Sequence, residues 1–234
     1  MPRFPAGFEL AEALAAAARE LRETVTPHGT LRTAVKLAVT LVPGAEQAGI
    51  AVVERGTRRR MIAWSDESVR SAESAPGGRD PHPLWDRLWT APVAVLDDSR
   101  TETAARPLSE AGLRSVLSLR LRADRRTLTV LNAYAARPRV FDEDATRVGL
   151  LLTAHVSLAL DAATERDQLT EAMRTRDLIG QATGILMERM DIDAAGAFES
   201  LVKASQRENV KLRDLARRIV DSHESPGGRG VNER

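Results

Sequence analysis

The chain of 234 residues has no cysteine. That excludes disulfides, thiolate-bound zinc, iron–sulfur clusters, cysteine nucleophiles and thioether-linked chromophores, and it fits a reducing cytoplasm. It also lacks an excess of one charge: 34 Lys and Arg stand against 33 Asp and Glu, a net of +1. Overall charge therefore predicts no polyanion partner, and any basic patch must be local. No run of about 18 consecutive apolar residues occurs, so no transmembrane helix is expected. The apolar stretch Leu14–Ala18 is short and flanked by Glu12, Arg19 and Glu20, unlike the core of a signal peptide. The expected compartment is the cytoplasm, with no membrane partner. The histidines, His28, His82, His155 and His223, fall in no HExxH or similar ligand spacing, so no metal site is expected. No G-x-S-x-G is present, and Pro76-Gly77-Gly78 lacks the GK[ST] ending of a phosphate loop. The chain reads as a non-enzyme with no catalytic residues and no cofactor.

What is present begins with two helices. Residues 7–25 place Leu10, Leu14, Ala17, Ala18 and Leu21 at helical spacing, and Pro27 ends the run. Thr30–Leu41 repeats the pattern until Pro43-Gly44. The period then changes to that of strands: Ala48–Val53 and Arg59–Trp64 form a hairpin across a polar, Gly-containing connection. Residues 71–83, rich in Pro and Gly, read as a loop. Leu84–Thr90 reads as short helical turns, Val93–Leu96 as a strand, and Leu108–Gly112 as a helix end closed by Gly112. Ser115–Leu121 and Leu128–Ala135 are two further strands. This order lacks strict βαβ alternation and predicts an α+β fold with an antiparallel sheet flanked by helices. Trp64, Trp85 and Trp89 either line a pocket or belong to the core.

From Phe141 the strand signals stop, and no proline occurs between Pro138 and Pro226. Asp142, Glu143 and Asp144 open a long helix where its dipole favours acids. Val148, Leu152, His155, Ala159, Ala162, Arg166, Leu169, Met173 and Arg176 recur at alternating spacings of four and three. Two readings of this stripe stand. It is a parallel coiled-coil seam pairing two chains, with Val148, Leu152, His155, Ala159, Ala162, Leu169 and Met173 in contact, or one helix docked on its own domain. Three helical segments follow: Ile179–Met190, Ala194–Gln206 capped by Asp193, and Lys211–Asp221. The core face of the second is read as Ala197, Phe198, Leu201 and Val202, so Phe198, the sole aromatic after Phe141, offers no stacking platform. Asn209 ends that helix in the left-handed conformation. The tail, residues 224–234, reads as disordered.

Charge is unevenly spread over the last segments. Residues 171–199 hold three basic and six acidic side chains, whereas 200–222 hold six basic and three acidic. Lys203 and Arg207, then Arg213 and Arg217, lie one helical turn apart. Such a surface is either a solvated face or a grip for phosphates.

Residues 171–222, and above all IGQATGILMERMDIDAAGAFESLVKASQRENVKLRDLARRIV, resemble an ANTAR domain. The resemblance rests on Ala182, Gly184, Met187, Ala197-Phe198, Leu201, Ser205, Asn209, Leu212, Ala216 and Ile219. Thr183 departs from it, standing where many members carry lysine. The preceding residues resemble a GAF domain more loosely, through element order and the segment LNAYAARPRVFDEDA. The implied organisation is a GAF-like sensor at 7–140, a coiled-coil helix at 141–176 and a three-helix ANTAR domain at 171–222.

The resemblance implies a transcription antiterminator that binds two small stem-loops in nascent mRNA. One domain per chain and two loops per RNA imply a homodimer with avidity. The implied RNA-binding positions are Ser205, Asn209 and Lys211. Gln181, Ala182, Thr183, Arg189, Lys203, Gln206, Arg207, Arg213 and Arg217 join them by proximity. Ala182 serves either close helix packing or a loop base, Ser205 either a base edge or a helix end, and Gly184 close packing. The sensor implies an unidentified small-molecule ligand. Two alternatives remain open. One is a DNA-binding regulator using the last helices as a helix-turn-helix, and the other is a ligand-sensing dimerisation module with a protein partner.

Overall fold

The computed structural model describes residues 8–55, 59–74 and 83–224. The hairpin connection at 56–58, most of the expected loop at 75–82 and the expected tail from 225 lie outside them. The chain divides into two units, Met1–Arg166 and Asp167–Arg234.

The first unit is built on five strands: β1 (Gln47–Glu54), β2 (Arg59–Trp64), β3 (Val93–Leu96), β4 (Ser115–Ala123) and β5 (Thr127–Ala135). Every pairing is antiparallel, in the order β2-β1-β5-β4-β3. Strand β5 lies at the centre and is buried on both faces, which is why its apolar run is nearly continuous.

Helices cover both faces. Against one lie α1 (Phe8–Glu23), α2 (Pro27–Leu41) and the first half of α6 (Glu143–Met190). Leu14, Leu21, Val35 and Ala38 meet Ile50, Leu117, Leu119 and Leu131 of the sheet there, with Val148, Leu152 and Val156 of α6. Gly149 sets how closely α6 approaches, since an added Cβ would fall 2.6 Å from Leu119 Cδ1. Against the other face lie α3 (Glu67–Ser74), α4 (Pro83–Leu88) and α5 (Arg106–Glu110). Val69, Leu84, Trp85, Leu88 and Leu108 pack there on Val116, Leu128, Val130 and Tyr134.

Several boundaries differ from the sequence reading; the helix expected separately at Ile179–Met190 is the continuation of α6, and two other differences have a clear cause. Pro27 does not merely end α1; it is the first residue of α2, whose N-cap Thr26 accepts from the Gly29 amide at 3.1 Å. Proline suits that position because its missing N–H would have no helical partner. Ser71–Ser74, assigned to a loop, belong to α3. This helix is polar in sequence but buries Val69, Ala72 and Glu73, and Glu73 is tolerated because it finds a partner in Arg59.

The seam read along α6 also needs correction. Val148 and Leu152 are buried in their own domain, Ala159 packs against that core, and Ala162, Leu169 and Met173 are exposed. A strict seven-residue repeat drifts by about 20° per heptad around a straight helix. Over this length it travels from the covered side to the open side. The apolar stretch of α6 also passes, by length and composition, as able to cross a bilayer, with 39% of it buried inside the fold. Its burial of Val148, Leu152 and Val156 is what a core helix requires.

The second unit packs the rest of α6, α7 (Ala194–Glu208) and α8 (Leu212–Glu224) around Ala182, Leu201, Leu215, Ala216 and Val220.

Candidate nucleic-acid interface

The turn between α7 and α8 is fixed by its own residues. Asn209 sits in the left-handed region at φ 53, which asparagine tolerates and which reverses the chain. Its N–H donates to Gln206 O at 3.2 Å, and Val210 N–H donates to Ser205 O at 3.1 Å, the paired closure of a Schellman ending. Ser205 completes it, donating its hydroxyl to Val210 O at 2.6 Å. Ser205 is buried, so its side chain holds the turn and faces no ligand. Ala182 is likewise core, wholly buried beside Leu201 and Ala216. These two leave the set of direct contacts. Thr183 is half-buried and spends its hydroxyl on Ile179 O at 2.8 Å.

The remaining positions are exposed: Gln181, Arg189, Lys203, Gln206, Arg207, Asn209, Lys211, Arg213 and Arg217. Their charges are not equivalent. Lys203 pairs with Glu199 at 2.7 Å, Arg213 lies 3.8 Å from Glu171 and 3.6 Å from Asp214, and Arg189 meets His223 Nδ1 at 3.4 Å. Among the described residues Arg207, Lys211 and Arg217 have no ion pair. These three bracket the Asn209 turn, at the end of α7, in the turn and on the second turn of α8. A cation with no internal partner binds phosphate without first breaking a contact. Gln206 and Asn209, exposed in the same segment, carry amides able to donate and accept at a base edge.

Two residues behave otherwise than the sequence suggested. Phe198 was placed on the core face, yet it is 46% exposed. Ala197 and Leu201 fill the core, and Phe198 stands about 100° round the helix from Ala197. Its ring is therefore open to stacking. Gly184 was read as a close-packing residue, but an added Cβ there, or at Gly180, meets nothing within 4 Å. Helical spacing alone did not reveal the exposure of Phe198, which lies seven residues before buried Ser205 and so at the edge of the stripe formed by Ala197, Leu201, Ala204 and Ser205.

The first unit holds a second polar group of interest. On the sheet face under α3 and α4, Glu73 is 2% exposed, accepts the Tyr134 hydroxyl at 2.5 Å and lies 2.7 Å from Arg59 Nη1. Burial and the Glu73 carboxylate push the Tyr134 phenol well above its ordinary pKa, so it stays a donor. Arg59 also lies over Trp85, 4.7 Å from the ring centre. On the same face Asn132 is opposite Ser118 and Gly49 in the strand register. Among the described residues the buried Ser118 hydroxyl has no hydrogen-bond partner, and the buried Asn132 amide, outside ideal hydrogen-bond geometry, acts on the Tyr134 hydroxyl. A polar residue in an otherwise apolar alternation, Leu128, Val130, Asn132, Tyr134, was the sequence signal for this group.

Trp85 belongs to the core, Trp89 packs against it, and Trp64 is half-exposed with Arg70 over its ring at 5.2 Å.

The family model for the ANTAR domain matches residues 167–220, and that for the GAF domain matches 24–161. No curated protein matches the chain. Solved structures of similar fold include the chromophore-binding domain of an unusual bacteriophytochrome from R. palustris, at 12% identity and TM-score 0.53, covering 67% of this chain and 63% of that one. A larger bacteriophytochrome structure from the same bacterium gives 12% identity and TM-score 0.60, covering 79% of this chain and 44% of that one. The Stigmatella aurantiaca phytochrome photosensory core module gives 14% identity and TM-score 0.60, covering 86% and 45%. The chain thus spans less than two thirds of each, and the likeness is one of fold.

Proposed function

The chain belongs to the GAF domain family and carries an ANTAR domain, and we propose that it is an RNA-binding antitermination regulator with a sensory domain, acting as a cytoplasmic homodimer on paired stem-loops of nascent mRNA. Both domain families are regulatory. By holding the two stem-loops, the dimer would keep the transcript from forming its terminator. The observation that carries the reading is the turn at Asn209, where Arg207, Lys211 and Arg217 stand exposed without a counter-charge among the described residues. Gln206 and Asn209 beside them read the loop bases, and the open ring of Phe198 stacks on one. Lys203, Arg213 and Arg189 join by exchanging their present partners for phosphate. Gln181 lies exposed on α6 and completes the polar rim.

The sensory unit takes a small molecule. What supports this is the sheet face beneath α3 and α4, where Ser118 keeps an unpaired hydroxyl among the described residues and Asn132 beside it has only the Tyr134 hydroxyl to meet its amide. Buried polar groups are normally satisfied, so a ligand with adjacent donor and acceptor groups accounts for them.

The test is a binding titration of the full chain with a two-hairpin RNA, the same RNA with scrambled loops, and duplex DNA. Tight binding to the first alone is expected. A triple Arg207→Gln, Lys211→Gln, Arg217→Gln variant should lower the slope of log affinity against log salt by about one per residue. Equal affinity for scrambled loops, or preference for duplex DNA, would overturn the reading.

A further inference from the structure

The sensory reading leaves its ligand open, and we infer that the sheet face beneath α3 and α4 takes a small α-hydroxy monocarboxylate with an apolar body, its carboxylate held by Arg120 and Ser118 and its hydroxyl by Asn132. This rests on the small-molecule reading of that face and names the class of ligand. Ser118 and Arg120 are alternate residues of β4, so their side chains leave the same face about 7 Å apart. Asn132 stands opposite Ser118 on β5, and Gly49 and Ala94 flank the pair in the same row without offering it a polar atom. Arg120 supplies the charge. Its Nη1 donates to Leu88 O at 3.1 Å and Trp89 O at 3.3 Å at the end of α4, which fixes the guanidinium on this face. Among the described residues this half-buried side chain has no ion pair, and its Nε and Nη2 have no hydrogen-bond partner. Such a fork suits the two oxygens of a carboxylate. Arg59, on the same face, is already engaged by Glu73 at 2.7 Å. One unmatched cation calls for one negative charge, which favours a monocarboxylate over a phosphate dianion.

The hydroxyl follows from Asn132. Tyr134 gives its own hydrogen to Glu73 at 2.5 Å, so towards Asn132 its oxygen can only accept. Burial and the Glu73 carboxylate raise the Tyr134 pKa, and the Asn132 amide opposes them, as a donor to the phenol oxygen does. That leaves Asn132 Oδ1 as an acceptor in need of a donor, beside a Ser118 hydroxyl in need of an acceptor. A hydroxyl on the carbon next to a carboxylate presents both within one short group. An ammonium in its place would bring a positive charge, and the one carboxylate at hand, Glu73, is taken by Arg59. Ala51 and Val130, in the row of Arg120, and Leu88 of α4 offer an apolar wall to the rest of the molecule. Met61 stands over Gly49, its Cε 2.5 Å from where a Cβ would lie, and a flexible thioether is the apolar side chain best suited to yield room.

The test titrates the full chain, at fixed ionic strength, with compounds of one carbon skeleton: α-hydroxyisocaproate, isocaproate, α-hydroxyisocaproamide and leucine. Trp85 and Trp89, on and just after α4, report binding by fluorescence, and calorimetry reports it as a rise in melting temperature. The hydroxy acid should bind most tightly, with the plain acid and the hydroxy amide at least about tenfold weaker. Arg120→Gln should weaken the hydroxy acid at least about tenfold and abolish its advantage over the amide. Should Arg120→Gln loosen α4 and unfold the domain, Ser118→Ala, which removes only a hydroxyl, should still weaken binding about threefold to tenfold. Equal affinity for the hydroxy acid and its amide, a preference for leucine, or wild-type affinity in either variant would overturn the assignment. Silence from every compound would overturn it too, and the melting temperature of Ser118→Ala then decides what else falls. A rise would leave an unmet polar site for a ligand of another class, whereas a drop would show the Ser118 hydroxyl satisfied within the fold and remove the small-molecule reading itself.

Discussion

Asp98 makes the best-formed surface ion pair of the GAF unit. It accepts Arg114 Nε at 2.8 Å and Nη2 at 2.5 Å, and the Arg100 amide at 3.1 Å. The Arg114 hydrogen bonds first, then the amide, hold its carboxyl at about 2. Asp124 is also held at about 2, by the Thr127 hydroxyl and the amides of Arg126 and Thr127 in the β4–β5 turn. An unfolded aspartate titrates near about 3.9. Since the folded values are lower, both contributions are complete above that value and are lost as pH falls towards 2. Acid unfolding followed by circular dichroism should therefore fall less steeply across this window for the Asp98→Asn, Asp124→Asn variant than for wild type. Parallel curves would disprove the assignment. Asn132 acts in the opposite sense. A buried polar group whose hydrogen-bonding capacity is unmet costs about 1–3 kcal/mol, and the Asn132 amide meets only the Tyr134 hydroxyl, so Asn132→Leu, of similar shape, should raise the melting temperature. At about 2–4 °C per kcal/mol for a unit this size, calorimetry resolves the change. A lower melting temperature would mean that Asn132 is already satisfied, and the ligand reading of that face would lose its support.

At the scale of elements, α6 decides most. Its apolar positions serve two ends: Val148, Leu152 and Val156 close the GAF core, while Leu151, Leu158 and Ala162 stay open. A one-residue step turns a helical side chain by about 100°, so neighbours in sequence have different fates. Further along, Gly180 and Gly184 lie in open space within the helix. Glycine in a helix interior costs about 1 kcal/mol against alanine. Gly184→Ala should accordingly stabilise the ANTAR domain by about that amount in chemical denaturation. A loss of stability would instead reveal packing at that position. On α7, the same rotation separates buried Ala197 from exposed Phe198.

At the scale of the whole molecule, near-neutral charge conceals a local imbalance, since residues 200–222 carry six basic side chains against three acidic. Each unit has its own core and its own polar cluster, so ligand sensing and RNA binding are separable in principle. In the proposed homodimer, pairing would convert two weak loop contacts into one tight complex, because the second loop would bind at the high effective concentration set by the first. Much of this was legible beforehand. Periodicity located strands β2 and β3 to the residue, and the ANTAR resemblance pointed to the segment around Asn209. Helix α3 escaped notice because its burial depends on Glu73 finding Arg59 and Tyr134 across the sheet. The chain alone determined most of its helices and strands, α3 excepted, and that the basic side chains gather near the last turn, since both follow from local spacing and composition. Only the tertiary structure decided which side of α6 is covered, that Ser205 and Ala182 point inward, and which arginines keep a free charge. Those outcomes depend on contacts between residues far apart in sequence, and a helical period defines faces without saying what lies against each.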